Sequence, residues 1–149
     1  MSETEAELQR LSEEEVPPDR LIWTAYFFTH IPSEWGERQR FRAALRAAGF
    51  TGVGTDEELS GSGCWHHYSH TVRLADPNVL GAADRAAAAV AAAHGVQYDR
   101  WFVVRDPHTG EPKAASEADI LKAREGNKRA EQIEREAIAL RTRLGLKST

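Results

Sequence analysis

One short segment near the N-terminus constrains the fold more than any other part of the chain. From Arg20 to Thr29 the sequence carries Leu21, Ile22, Trp23, Tyr26, Phe27 and Phe28, a density of aromatic and branched aliphatic side chains that favours a strand. Side chains alternate across a strand, so a run that is apolar at odd and even positions alike is apolar on both faces. A strand of that kind belongs inside a sheet with cover on two sides. The rest of the chain must therefore supply neighbouring strands and a covering layer.

Both are legible downstream. Ile31-Pro32-Ser33 punctuates the chain, and Ser33 is the expected N-cap of a helix from Glu34 to Ala48. Trp35, Phe41, Leu45 and Ala48 share the inner face of that helix, and Gly49 stops it. Phe50 to Leu59 reads as a weaker strand, bulged or at an edge because it holds two glycines. Ser60 to Gly63 makes a turn, and Cys64 to Leu74 follows as a long strand rich in aromatics, Thr and Val. Asp76-Pro77 opens a second helix, with Asp as N-cap and Pro at the first helical position. It places Leu80, Ala83, Ala87 and Val90 on one face and ends before Gly95. Gln97 to Arg105 is the last strand. The order strand, helix, strand, strand, helix, strand predicts an α+β, ferredoxin-like βαββαβ sandwich with both helices on one face of an antiparallel sheet.

The predicted organisation has three parts. Residues 1–18 form a short acidic N-terminal lead-in helix, capped by Ser2 with Glu5; with Leu8 and Leu11 as its apolar contacts it is marginal by itself. Residues 19–106 form the sandwich. Residues 107–149 comprise a polar linker and an added C-terminal helix opened by Ser116 and Asp119. In that helix Ala130, Ile133, Ala137, Leu140 and Leu144 alternate by three and four, which makes a narrow apolar seam. The seam either folds back over the open face of the sheet or pairs with a second chain, so a homodimer stays open.

Charge and cysteine usage exclude whole classes. The chain has 149 residues, 41% of them hydrophobic, and a formal net charge of −4. That balance permits one packed domain and disfavours direct nucleic-acid binding, which rests on neutralising phosphates. The third strand also lacks the basic residue and aromatic spacing of an RNA-recognition motif, with Trp65 and Tyr68 on opposite faces. Cys64 is the single cysteine, so no intramolecular disulfide forms. No apolar stretch reaches the ~20 residues of a membrane span, and no signal peptide is apparent. The expected address is the cytoplasm. No phosphate loop, dinucleotide fingerprint or nucleophile elbow is present, so the chain is expected to be no enzyme and to need no cofactor.

The densest chemistry lies in Gly63-Cys64-Trp65-His66-His67-Tyr68-Ser69-His70. On a strand, Cys64, His66, Tyr68 and His70 share one face and His67 takes the other. At ~3.3 Å per residue the ends of that set lie ~20 Å apart, too far for one metal ion. Cys64, His66 and His70 are thus metal candidates two at a time, with His30 as a conceivable addition from the first strand. Gly61 to Trp65 echoes a cysteine-protease signature, but its first cysteine is Gly61 and the distant histidine would fall beyond Thr149. Asp99, between Tyr98 and Trp101, is a base only if burial raises its pKa; a turn or cap role is the simpler reading.

Several of these features together resemble the regulator of ribonuclease activity B (RraB) family: the aromatic first strand, the helix closed by Gly49-Phe50, and Gly63-x-Trp65 opening the third strand. The most specific piece is His94-Gly95-Val96-Gln97-Tyr98-Asp99-Arg100-Trp101, which is similar to the family's Gly-Gly-x-Tyr-Asp-Gly-Trp ending. Val96 and Arg100 stand where the family usually has glycine. The resemblance spans Arg20 to Val103 and implies a non-catalytic bacterial protein that acts by protein–protein contact. It implies inhibition of an RNase E- or G-type endoribonuclease, with Trp65, Tyr98, Asp99 and Trp101 as partner-binding candidates. A dimeric α+β barrel enzyme, or a haem- or metal-binding protein using the histidine-rich strand, is the alternative.

Overall fold

The strand expected at the centre of a sheet is found there. In the computed structural model, which describes residues 2–54, 57–59 and 64–146, β1 (Leu21–Ile31) lies between β3 (Trp65–Leu74) and β4 (Gln97–Val103). A three-residue strand β2 (Glu57–Leu59) extends the antiparallel sheet to the order β2-β3-β1-β4. Among the described residues four helices complete an α+β fold: α1 (Glu3–Glu13), α2 (Trp35–Ala47), α3 (Pro77–Ala93) and α4 (Glu117–Arg143). The expected Ser60–Gly63 turn lies outside the described residues.

Register divides β1 into two sets of side chains. Tyr26 pairs with Ser69 on one side and Trp101 on the other, and Phe28 with His67 and Tyr98. Ile22, Thr24, Tyr26 and Phe28 accordingly share a face with His67, Ser69 and Thr71 of β3 and with Tyr98, Trp101 and Val103 of β4. The register shift between Phe27 and Phe28 is a bulge, and it explains how Tyr98 and Trp101, three residues apart, reach the same face. This face is covered. Phe41 and Leu45 of α2 and Leu80, Ala83 and Ala87 of α3 pack into one buried cluster with it.

Helix starts follow their capping chemistry. Asp76 caps α3 as expected, accepting from the backbone N–H of Asn78 at 2.7 Å. α2 begins one residue later than predicted, because Glu34 rather than Ser33 turns its carboxylate onto the N–H groups of Gly36 and Glu37.

Two expectations are corrected. Among the described residues of the predicted strand Phe50 to Leu59, pairing is confined to Glu57–Leu59, while residues 50–54 run along the edge of β3 held by side chains. Ser69 Oγ donates to Thr51 O at 2.7 Å, Thr51 Oγ1 to His70 O at 2.8 Å, and Thr51 N to Thr71 Oγ1 at 3.1 Å. Gly52 turns the chain there with φ +68°, and a Cβ on it would sit 3.2 Å from His70 O, so glycine is needed for both conformation and clearance.

The N-terminal helix is the second correction. Read as a marginal lead-in, α1 in fact docks on α3 and β4. Leu11 is buried, Leu8 packs against the core, and three side chains tie the helix down: Thr4 and Glu7 as described below, and Glu14 in an ion pair with Arg105 at 2.7 Å. The polar linker is likewise fastened. Backbone bonds from Trp23 N to Lys113 O and from Ala115 N to Leu21 O lay it beside the start of β1.

α4 folds back over part of the open face, the first of its two predicted courses. It crosses the β3 edge. Its first turns stand beside Trp23 and His70 on the open side of the sheet, and its later turns lie against α2, where Arg46 and Glu134 meet at 2.7 Å. Asn127 between them donates to Phe50 O at 2.9 Å. The inward stripe is Ala123, Asn127, Ala130, Glu134 and Ala137, so the predicted seam is split: Ile133, Leu140 and Leu144 remain exposed. No helix among the described residues is long and apolar enough to cross a membrane.

Candidate functional site

Of the residues singled out by the β4 motif, Tyr98 and Trp101 are occupied in holding the fold together. Trp101 is buried and donates from Nε1 to Thr4 Oγ1 at 2.9 Å. Thr4 Oγ1 donates in turn to Asp84 Oδ2 at 2.7 Å, and Tyr98 Oη donates to Asp84 Oδ1 at 2.6 Å. Glu7 of the same helix accepts from Val103 N at 3.2 Å. One carboxylate on α3 thereby gathers α1 and β4. Burial and the adjacent Asp84 carboxylate push the Tyr98 phenol far above its ordinary range, so it stays a donor. Asp99 is exposed and accepts from Gln97 Nε2 at 2.6 Å, a local strand-end contact. Trp65 is half-buried on the covered side with the Arg38 guanidinium 4.7 Å from its ring.

A second polar network closes the opposite end. Glu57 of β2 takes both hydrogen bonds of the Arg42 guanidinium. Burial works to raise the Glu57 carboxyl pKa, and the Arg42 bonds and charge outweigh it, holding the group below its ordinary value. With its amide nitrogen turned toward α4, Gln39 donates to Glu134 at 2.7 Å and accepts from Arg42 at 2.7 Å. The Arg46 side chain beneath is 2% exposed. The chain Glu57, Arg42, Gln39, Glu134, Arg46 joins β2, α2 and α4.

The histidine-rich strand divides as its alternation predicts. His67 is buried on the covered face beside Phe28. His66, Tyr68 and His70 are half-buried on the other face. Cys64 is half-buried just before β3, and His30 is exposed near the end of β1 in a left-handed conformation, φ 55°. Among the described residues, no three or more His, Cys, Asp and Glu side chains converge as metal ligands would.

What the structure assembles is an aromatic surface on the uncovered face. Phe27 of β1 stacks on Tyr68 of β3 with centroids 4.4 Å apart and planes 14° from parallel. His66 meets the edge of Phe27 at 5.9 Å, and Phe102 of β4 meets Tyr68 at 6.2 Å. Cations lie over the outer rings: Arg100 is 5.3 Å from Phe102 and Lys113 is 5.7 Å from Trp23. Phe27, Trp23 and Phe102 were not singled out by sequence. The available signal was the odd-numbered apolar set of β1, in which Ala25 is buried while Trp23 and Phe27 stay half-buried.

Beside this surface, where α4 crosses the edge, lies a cavity of about 380 Å³. Trp23, His70, Gly52 and Val53 line one side, and Lys122, Ala123, Gly126 and Ala130 of α4 the other. A shallower hollow shares Trp23 and His70 and adds Val104 and Lys113.

Compared with known protein families, with curated proteins and with solved structures, the chain finds no match.

Proposed function

We propose that this chain is a regulatory binding module that docks a protein partner on the open face of its sheet. The strand order β2-β3-β1-β4, with α2 and α3 as the two crossovers, supports the ferredoxin-like βαββαβ reading, extended by α1 and α4. The observation that carries the docking face is the Phe27–Tyr68–Phe102 cluster. These rings are half-buried on the uncovered side of the sheet, whereas Trp101 and Tyr98 are committed to internal hydrogen bonds. Aromatic groups presented this way, with an arginine at the rim, are the usual anchors of a protein interface. The motif resemblance supplies the partner class: an RNase E- or G-type endoribonuclease of a bacterial cytoplasm, bound without catalysis.

The test is inhibition of RNase E cleavage of a fluorescent oligonucleotide by the wild-type chain and by the Phe27→Ala, Tyr68→Ala double variant. Inhibition by wild type that weakens at least about tenfold in the variant supports both partner and face. Inhibition untouched by the variant moves the interface elsewhere, and no binding of wild type to the enzyme removes the ribonuclease role.

A second reading uses the same surface. His66 and His70 flank Tyr68 on it, as a face-to-face dimer holding haem or a metal would require. Sedimentation equilibrium and the visible absorption of the purified chain separate the two: a colourless monomer leaves the docking reading, and a coloured dimer replaces it.

A further inference from the structure

We propose that the cavity between α4 and the Trp23 end of the open face is a binding site for a small aromatic carboxylate. Its volume, about 380 Å³, is within the range of small-molecule pockets, and it combines an apolar lining with few polar groups, as such pockets do. Trp23 offers an indole wall, and Val53, Ala123 and Ala130 are apolar neighbours.

Gly126 is the feature that packing alone leaves unexplained. It sits inside the twenty-seven-residue helix α4, where glycine costs about 1 kcal/mol relative to alanine. Its backbone has ordinary helical sign, and a Cβ placed on it would meet nothing within 4 Å. Neither conformation nor crowding asks for glycine here. It leaves the α4 wall of the cavity without a side chain at that point.

The charge of the occupant follows from the polar groups at the rim. The Asp119 carboxylate accepts from Ser116 N at 2.9 Å as part of the helix cap, and the Asn127 amide donates to Phe50 O. Lys122 lines the cavity itself, and Lys113 lies over Trp23 in the adjoining hollow. Lys122 in the lining and Lys113 over the indole set two ammonium groups against the one carboxylate of Asp119, whose hydrogen bonds go to its own cap, and this excess of positive charge favours an anion carried on a flat apolar body. The inference is independent of which protein docks on Phe27 and Tyr68.

Calorimetric titration of the full chain with naphthoate, and with naphthylmethanol as its uncharged counterpart, tests it. Naphthoate is expected to bind saturably and about tenfold more tightly than the alcohol, the worth of one charge-assisted hydrogen bond. Gly126→Leu fills the cavity and is expected to abolish binding of both probes without lowering the melting temperature. Lys122→Ala, at an exposed position, is expected to weaken naphthoate about tenfold and leave the alcohol unchanged. Absence of saturable binding, binding that survives Gly126→Leu, or equal affinity for the two probes would each overturn the proposal.

Discussion

On the covered face of the sheet, Trp101 donates to Thr4, and Thr4 and Tyr98 both donate to Asp84. On the open face, Phe27, Tyr68 and Phe102 touch each other with part of their surface in water. Both faces are built from the same strands and from similar rings. The difference is in what the rings do for folding. A buried indole whose N–H is satisfied contributes its full apolar area; a half-buried ring contributes part of it and keeps the rest for an encounter. The comparison teaches that aromatic content alone does not separate a core from a surface, whereas aromatic content left over after the hydrogen-bonding groups are accounted for marks the face still in water.

The widest gap between the faces is expected in paired truncations. Trp101→Ala is expected to cost about 4 kcal/mol in urea unfolding, and Tyr68→Ala about 1 kcal/mol. Equal costs would mean that the open face is as structural as the covered one. Next in size, Glu134→Ala leaves the Arg46 guanidinium buried without its carboxylate and is expected to cost about 3 kcal/mol. Hydrogen exchange should then show faster opening of α4 than of α3. Tyr98→Phe removes a donor from Asp84 and is expected to cost about 2 kcal/mol, with α1 amides losing protection first. Gly126→Ala goes the other way, raising stability by about 1 kcal/mol. It does so because the new methyl group meets open space.

The smallest effect is one of pH. Because Glu57 is held below its ordinary pKa when folded, the unfolded chain takes up that proton first as pH falls. Its contribution is complete above the ordinary carboxyl value and is lost as pH falls through the lowered one. Urea midpoints measured from about pH 6 to about pH 3 should therefore fall less steeply for Glu57→Gln than for wild type. An unchanged slope would detach Glu57 from the acid limb.

How far the sequence anticipated this arrangement depends on whether a local rule was in force. β1, β3, α3 and the caps at Ser2, Asp76 and Ser116 follow from alternation and capping chemistry, and each is found within a residue or two of its expected place. Alternation also sorted His67 from His66 and His70. Where side-chain hydroxyls replaced a backbone ladder, as from Phe50 to Gly54, no periodicity marked the change. The docking of α1 was equally hidden, since Thr4, Glu7 and Glu14 are ordinary helix-surface residues until Trp101, Val103 and Arg105 are brought beside them. The site candidates Trp65, Tyr98, Asp99 and Trp101 were chosen by motif, and motif does not carry burial. The cavity at Gly126 needed the crossing of α4 over the β3 edge, which the Arg46–Glu134 pair and the Asn127 bond to Phe50 O fix.

The two interleaved sets of side chains on β1 answer to different selective pressures. Ile22, Thr24, Tyr26 and Phe28 are fixed by what already surrounds them inside the molecule, so drift there is penalised in every cellular context. Trp23 and Phe27, one residue out of phase, answer chiefly to whatever meets the molecule from outside. Changes at Trp23 and Phe27 can therefore alter what the strand presents outward, while Ala25 between them stays buried and the same scaffold is inherited.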